Sequence, residues 1–390
     1  MCKFRILIIH NAYQQRGGED AVVEAELEML RGHGHPIEVF LKHNDELKTT
    51  AIWKAAADTV WSRSSVSSLR EIISRFQPDV VHFHNTFPMI SPSAYWAVRA
   101  AGLPVVQTLH NFRLHCLQGT YLRKGKVCED CIGNVPWRGV TRGCYRASIP
   151  QSAVLAGMLT VHRTVGTWQN KVTRYIALNE FCRCKLIEGG LPAERVVIKP
   201  NFVDFEAPTE ALRQGFLFVG RLSVEKGIAV LVKAMKGMDA IALRIAGTGP
   251  EAAILEGAKG ISALGRLTSQ SVRNEMGQAS ALVFPSIWYE GFPITIVEAF
   301  ASRLPVIASR LGGMPEWVTD GVTGLLFEPG NAQDLAKKMS WAQQHPDAMA
   351  EMGRKARALY EAKFTAEQNY PQLIKIYQDA ISEVKSEVAG

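Results

Sequence analysis

Short apolar runs alternate along this chain with stretches whose apolar residues recur every three or four positions. Phe4–Ile9 predicts a first strand, Gly17-Gly18 a tight turn, and Glu19–Gly32 a helix with Val22, Val23, Leu27 and Leu30 on its inner side. Pro36–Leu41, Asp79–Phe83, Pro104–Leu109, Tyr175–Leu178 and Arg195–Ile198 read as further strands. Ile52–Phe76, with Trp53, Val60, Trp61 and Leu69, reads first as a core helix and alternatively as a helix lying on a membrane surface. Apolar strands joined by helical patterns predict parallel sheets with crossover helices, an α/β fold.

The pattern weakens at Pro200–Gln214, which reads as a linker, and then restarts. Phe216–Val219, Ala242–Ala246, Ala281–Phe284, Val306–Ala308 and Gly324–Phe327 predict a second set of strands, and Val224–Met235 a helix. Residues from about Asn331 to Glu387 read as helical throughout. Two Rossmann-like domains follow, 1–205 and 206–366, with a last helix over 367–390. The stretch 111–148 is rich in Cys, Arg, Gly and Trp and lacks a period. It reads as a long insertion in the first domain, held by something other than a core.

Composition adjusts this picture only in part. Hydrophobic residues make up 47% and charged residues 21%, which fits a globular chain. No run approaches the roughly 18 apolar residues that span a bilayer, and the N-terminus reads as a buried strand, so a cytoplasmic location is expected. The formal charge of +7 favours phosphate-bearing ligands or an anionic membrane face. No aromatic–basic RNA-binding motif accompanies it, so nucleic acid is not an expected partner. Cys116, Cys128, Cys131 and Cys144 fall within the insertion. The Cys128-Glu-Asp-Cys131 spacing suits a structural zinc site, with His115 as an alternative ligand; reduced thiols and a disulfide are the competing readings. Arg113, Arg123, Lys124, Lys126, Arg138, Arg142 and Arg146 make the same stretch basic.

The chemistry-bearing motifs lie mostly in the second half. Glu290 and Glu298 are separated by seven residues, with Pro293 suited to start a helix between them. The N-terminus of that helix offers unbonded N–H groups to a phosphate, with a carboxylate on either side for sugar hydroxyls. The plain alternative is a capping glutamate followed by a solvent-facing one. Arg221 and Lys226 follow the strand ending at Val219, where two cations can clamp a diphosphate or simply decorate a loop. Gly17-Gly18 and Gly247-Thr-Gly249 follow strands and admit close backbone approach, or are ordinary turns. His110 ends the strand Pro104–Leu109, as a sugar contact or a structural histidine.

Taken in order, these motifs resemble the retaining glycosyltransferases of family 4, which have the GT-B fold. The resemblance extends over nearly the whole chain through Gly17-Gly18, Pro200-Asn201, Val219-Gly-Arg-Leu with Glu225-Lys-Gly227, Phe284-Pro-Ser286, Gly312-Gly-Met-Pro-Glu316 and Asp320-Gly-Val-Thr-Gly324. Within the family the chain looks like bacterial envelope or exopolysaccharide enzymes with a cysteine-bearing insertion. The resemblance implies two Rossmann-like β/α/β domains facing across a cleft and a C-terminal helix crossing back to the N-terminal, acceptor-binding domain. It implies a donor site in which Glu290, with the amides of Gly291 and Phe292, meets the donor sugar, and Glu298 meets the ribose. Arg221, Lys226 and Gly18 would meet the diphosphate, Arg266 would lie at the base, and His110 near the transferred sugar. This chain has Asn111 where many relatives carry Asp.

The resemblance further implies a UDP- or GDP-sugar donor, hexosyl transfer with retention, and no essential divalent metal. An undecaprenyl-pyrophosphate-linked saccharide is the expected acceptor, with peripheral membrane contact. A glycoside hydrolase using the two glutamates is one rival. Its carboxylates would need to lie roughly 5–9.5 Å apart, whereas eight residues of continuous helix span about 12 Å. A non-catalytic nucleotide-binding protein is another. A dinucleotide oxidoreductase ranks below both, because no Gly-x-Gly-x-x-Gly follows the first strand.

Overall fold

The computed structural model describes residues 3–14, 17–48, 50–205, 212–238 and 240–389. The chain forms two compact units, one of residues 1–120, 129–201 and 366–390, the other of 121–128 and 202–365. Residues 206–211 of the expected linker lie outside the described residues.

In chain order the elements up to residue 198 are β1 (Ile6–Ala12), α1 (Gly18–Gly32), β2 (Ile37–His43), α2 (Ile52–Val60), α3 (Arg63–Phe76), β3 (Val80–Phe83), α4 (Ser93–Ala100), β4 (Val105–Thr108), β5 (Leu122–Arg123), β6 (Lys126–Val127), α5 (Trp137–Thr141), α6 (Ile149–Thr164), α7 (Thr167–Asn170), β7 (Arg174–Ala177), α8 (Glu180–Glu188) and β8 (Val196–Ile198). The remainder are β9 (Phe216–Val219), α9 (Ile228–Ala234), β10 (Leu243–Ala246), β11 (Ile261–Gly265), α10 (Ser269–Gln278), β12 (Ala281–Phe284), α11 (Ile294–Ala301), β13 (Val306–Ser309), α12 (Met314–Trp317), β14 (Gly324–Phe327), α13 (Ala332–Gln344), α14 (Pro346–Lys363) and α15 (Ala366–Ala389). Each unit carries a six-stranded parallel sheet, ordered β2-β1-β3-β4-β7-β8 in the first and β11-β10-β9-β12-β13-β14 in the second. Helices cover both faces of such sheets, which is why the central strands read as unbroken apolar runs.

The second unit shows the alternation directly. Phe216 and Phe218 of β9 pack with Leu231 and Leu335 in one core. Leu217 points the other way, into a core with Val297, Phe300 and Tyr360. Strand β11 is missing from the periodicity because Ser262 and Ala263 are exposed on a sheet edge. The helix expected over Val224–Met235 is broken: Val224–Lys226 is a 3-10 turn, and Gly227 takes φ 72° before α9 starts.

The first unit holds two departures. Ile52–Phe76 is two helices, because Ser62 leaves the helix and its side chain accepts from the Ser65 amide to cap α3. α2 is not a core helix: Thr59 is its one buried residue, and Ile52 and Trp53 are 89% and 76% exposed. The insertion also buries apolar residues, in each unit separately. Phe112 and Leu117 are buried in the first unit, where Phe112 meets Phe181; 121–128 belong to the second, where Tyr121 and Leu122 are buried, Tyr121 meets Tyr289, and β5 and β6 pair as a hairpin. Long α15 packs in the first unit, where the Tyr370 hydroxyl meets His35 and Tyr377 meets His82. Among the described residues, no helix is long and apolar enough to cross a membrane.

Candidate active site

In the second unit the loop between β12 and α11 carries Glu290. The residue is 6% exposed, so it is not a solvent-facing cap. Its Oε1 accepts from Lys226 Nζ at 2.7 Å, Ser286 Oγ at 2.6 Å and Trp288 Nε1 at 2.7 Å. Such a partly buried carboxylate is fixed by charge-assisted bonds. Among the described residues Oε2 receives none, so it can accept from a ligand hydroxyl. The Lys226 ammonium also lies 5.4 Å from the centroids of Phe284 and Trp288. Two backbone contacts fix this geometry. The Ile287 amide donates to the Glu225 carbonyl, and a Cβ at Gly227 would meet the Pro285 carbonyl oxygen at 1.9 Å.

Pro293 is the N-cap of α11, so the helix starts one residue later than expected. Phe292 holds the approach through edge contacts to Trp317 and Phe364. Gly291 lies in the same loop, half-buried. Glu298 follows inside the helix. Burial pushes its carboxyl up to about 7, against the opposing pull of Arg273. Arg221 is exposed in the turn after β9 and, among the described residues, has no side-chain partner. Arg266 is exposed just after β11. Gly247 and Gly249 have a packing role, since a Cβ there would meet the Gly220 and Leu222 carbonyl oxygens at 1.8 and 2.2 Å.

In the first unit His110 follows β4. Its Nε2 lies 3.0 Å from His84 Nδ1, with the rings stacked. Burial, reinforced by His84, holds the His110 pKa well below the usual histidine range. Burial and His82 push His84 down to about 4. Behind them sits a charge pair that the motifs did not announce. Glu26 and Lys199 are 2% and 1% exposed, with Glu26 Oε2 3.4 Å from the ammonium. Glu26 Oε1 lies 3.0 Å from His82 Nδ1 and 3.4 Å from His84 Nε2. Burial alone would raise the Glu26 carboxyl; Lys199 and His82 outweigh it and hold it well below the carboxylate range. Lys199 also donates to Asn369 of α15 at 2.9 Å. Sequence held a signal for this pair. Glu26 falls on the inward stripe of α1 with Val22, Val23, Met29 and Leu30, where an acid must find a partner.

Gly17 caps α1, and its amide donates to Asp20, whose other oxygen meets His10 at 2.9 Å. A Cβ at Gly17 would meet nothing closer than 3.8 Å, so internal packing does not demand this glycine. Gly18 opens the helix. Asn111 donates to Glu19 at 2.8 Å, and its Oδ1 accepts the Arg113 amide.

Of the four insertion cysteines, Cys116, Cys131 and Cys144 belong to the first unit and Cys128 to the second. His115 packs beneath Gly189, and burial, reinforced by Arg163, pushes its pKa down to about 3, so its ring is neutral. Among the described residues Glu26, His82 and His84 bring three ligand atoms within 4.8 Å of one another. The Lys199 ammonium beside them repels a cation, and both ring nitrogens of His82 are engaged, by Tyr377 and Thr108. The trio therefore fits a charge network better than a metal.

Residues 16–207 match the family described as Glycosyltransferase Family 4, and 207–359 match Glycosyl transferases group 1. A glycosyltransferase from Methanocaldococcus jannaschii, MJ1178, is 32% identical over 61% of this chain and 72% of its own length. The D-rhamnosyltransferase WbpZ of Pseudomonas aeruginosa is 34% identical, but the match spans 39% of this chain and only 42% of that relative. Among solved structures, the sucrose-phosphate synthase of Thermosynechococcus elongatus superposes with TM-score 0.72 at 18% identity, covering 98% of this chain and 100% of that one. Anabaena HepE, solved with UDP-glucose, gives TM-score 0.63 at 19% identity, covering 98% and 100%. At these identities both structures speak for the fold.

Proposed function

From the premise that this chain belongs to the glycosyltransferases of family 4 type, with the GT-B fold, we propose that it moves a hexose from a UDP- or GDP-sugar to an acceptor hydroxyl with retention of configuration. The observation that carries this reading is Glu290, one oxygen held by three donors and the other open, beside the start of α11. The open oxygen accepts from hydroxyls of the donor sugar, Glu298 from those of the ribose, and Arg266 lies at the base. The amides of Gly291 and Phe292 support the sugar. Arg221 and Lys226 meet the diphosphate, and by the family pattern Gly18 does too.

Transfer breaks the bond from the anomeric carbon to the diphosphate oxygen and forms one to the acceptor oxygen on the same face. The acceptor proton passes to the departing phosphate oxygen. Negative charge grows on the diphosphate, so the cations contribute most in the transition state. Neutral His110 offers the transferred sugar a hydrogen-bond partner without adding charge. HepE, solved with UDP-glucose, supports a nucleotide-sugar donor of this kind. The acceptor is a lipid-linked saccharide met at a membrane face by the basic insertion. Four thiolates suit a tetrahedral zinc, so a structural zinc on Cys116, Cys128, Cys131 and Cys144 belongs to the same proposal. Elemental analysis of protein purified without chelator should find it; metal-free protein with four freely titrating thiols would remove it.

The test of transfer is to incubate the protein with UDP- and GDP-sugars, with and without a lipid-linked acceptor, and follow nucleotide release and product configuration. Acceptor-dependent release with the anomeric configuration kept is expected, and Glu290→Gln and Lys226→Ala should each reduce it roughly 100-fold or more. Free sugar as the main product would favour the hydrolase. An inverted product would remove retention, full activity in both variants would remove Glu290 and Lys226 from the site, and no release with any donor and acceptor would leave only a binding protein.

A further inference from the structure

The first unit contains an apolar groove that the donor chemistry does not use. It runs between α2 and α6, a cavity of about 290 Å³ walled by Ala55, Thr59, Phe87, Pro88, Val154 and Leu155. Tyr145 and Arg146 also line it. The Phe87 and Tyr145 rings meet edge to face at 5.5 Å. The Arg113 guanidinium lies over both, 4.8 Å from Phe87 and 5.6 Å from Tyr145, and Arg146 lies 5.4 Å from Tyr145.

Two cations therefore meet around one tyrosine beside an apolar groove. Among the described residues neither makes an ion pair, and the Nη1 atom of Arg113 is buried without a hydrogen-bond partner. A buried donor left unsatisfied costs about 1–3 kcal/mol, so it marks a place for an acceptor atom. Stacking on rings uses the guanidinium faces and leaves its N–H edge for an oxyanion. Phe87 and Arg113 also line the pocket that holds His110, so the charged end of the groove adjoins that histidine.

We propose that this groove and the Arg113–Tyr145–Arg146 cluster bind one amphiphilic anion, an apolar carbon chain ending in phosphate or diphosphate. The chain lies between α2 and α6, and the phosphate oxygens accept from Arg113 and Arg146. The exposed Ile52 and Trp53 of α2 continue the apolar surface beside the groove. Only the further step, that this ligand is the acceptor, rests on the reading of function above; binding itself does not.

Calorimetric titration of the full chain with farnesyl diphosphate, inorganic pyrophosphate and farnesol tests the proposal. Farnesyl diphosphate should bind at least tenfold more tightly than either of the others. Arg113→Gln should weaken it at least tenfold and leave farnesol unchanged. Ala55→Trp, which fills the groove, should bring it down to the level of pyrophosphate, with an unchanged circular-dichroism melt confirming the fold. Pyrophosphate binding as tightly as farnesyl diphosphate would reduce the site to an anion site and overturn the proposal. Farnesol binding as tightly would reduce it to an apolar patch and overturn the proposal too. Normal affinity in Arg113→Gln would also overturn it, whether or not Ala55→Trp folds. Tight farnesyl diphosphate binding by a protein that transfers no sugar would sink the transferase reading alone.

Discussion

His84 Nδ1 lies 3.0 Å from His110 Nε2, which makes the candidate sugar-contacting histidine the outer member of a buried pair. The carboxylate of Glu26 on the far side of His84 favours a proton on His84 Nε2. His84 Nδ1 then accepts from His110 Nε2–H, and His110 Nδ1 is left as an acceptor. The tautomer follows from the network and fixes what His110 can offer a hydroxyl.

Replacing His84 with phenylalanine keeps the ring stack and removes the acceptor. Donor KM should stay within about twofold while kcat falls on the order of tenfold, because His110 loses orientation rather than contact. His84→Asn, which keeps a polar side chain, should recover part of the loss. Steady-state kinetics separate these outcomes; an unchanged kcat in His84→Phe would remove the positioning role.

The same cluster predicts acid sensitivity. His84, pushed down to about 4, is neutral when folded and gains a proton more readily when unfolded. Its stabilising effect is full above the ordinary histidine pKa and is lost as pH falls towards 4. Depressed Glu26 acts in the same direction at lower pH. Stability should fall by up to about 1.4 kcal/mol per pH unit for each such group. Lys199→Met leaves Glu26 buried without its cation and should cost roughly 3–5 kcal/mol at neutral pH. Urea denaturation at pH 7.5 and 5 measures both effects.

Glu298 has the opposite sign. Its carboxyl is raised to about 7, so its protonated form favours the fold at low pH and that contribution fades as pH rises through 7. In the proposed donor pose ribose hydroxyls donate to this carboxylate, so nucleotide-sugar affinity should increase several-fold from pH 6 to pH 8. The esterified diphosphate has no proton to lose in that range. Titration with UDP-glucose and GDP-mannose reads the slope, and Glu298→Gln should flatten it. A slope surviving in Glu298→Gln would assign it to another group.

Gly227→Ala should destabilise the second unit by roughly 3 kcal/mol, through a left-handed φ and a backbone clash. The added Cβ would meet Pro285, next to the loop that carries Glu290, so activity should fall with stability. A melting temperature within a degree of the parent would contradict this packing.

The sequence by itself determined the two parallel sheets, because strands buried on both faces must be apolar throughout while their crossover helices keep a 3.6-residue period. It also singled out the candidate chemistry: Arg221, Lys226 and His110 follow strand ends, and Glu290 precedes a helix that carries Glu298, positions that local pattern reveals. It did not reveal the strand β11, whose exposed edge breaks the apolar pattern, or the break at Gly227. Tertiary structure alone decided how these residues are used. Lys226 and Glu290 are 64 positions apart and form an ion pair in the fold, where Gly227 packs against Pro285 beside them. Glu26 and Lys199 are separated by 173 residues, and no local period reports that distance. Cysteine spacing points to a shared metal, but it does not report that Cys128 is grouped with the second unit and its three companions with the first. Spacing along a chain constrains neighbours within a few turns; beyond that, only packing decides which side chains meet.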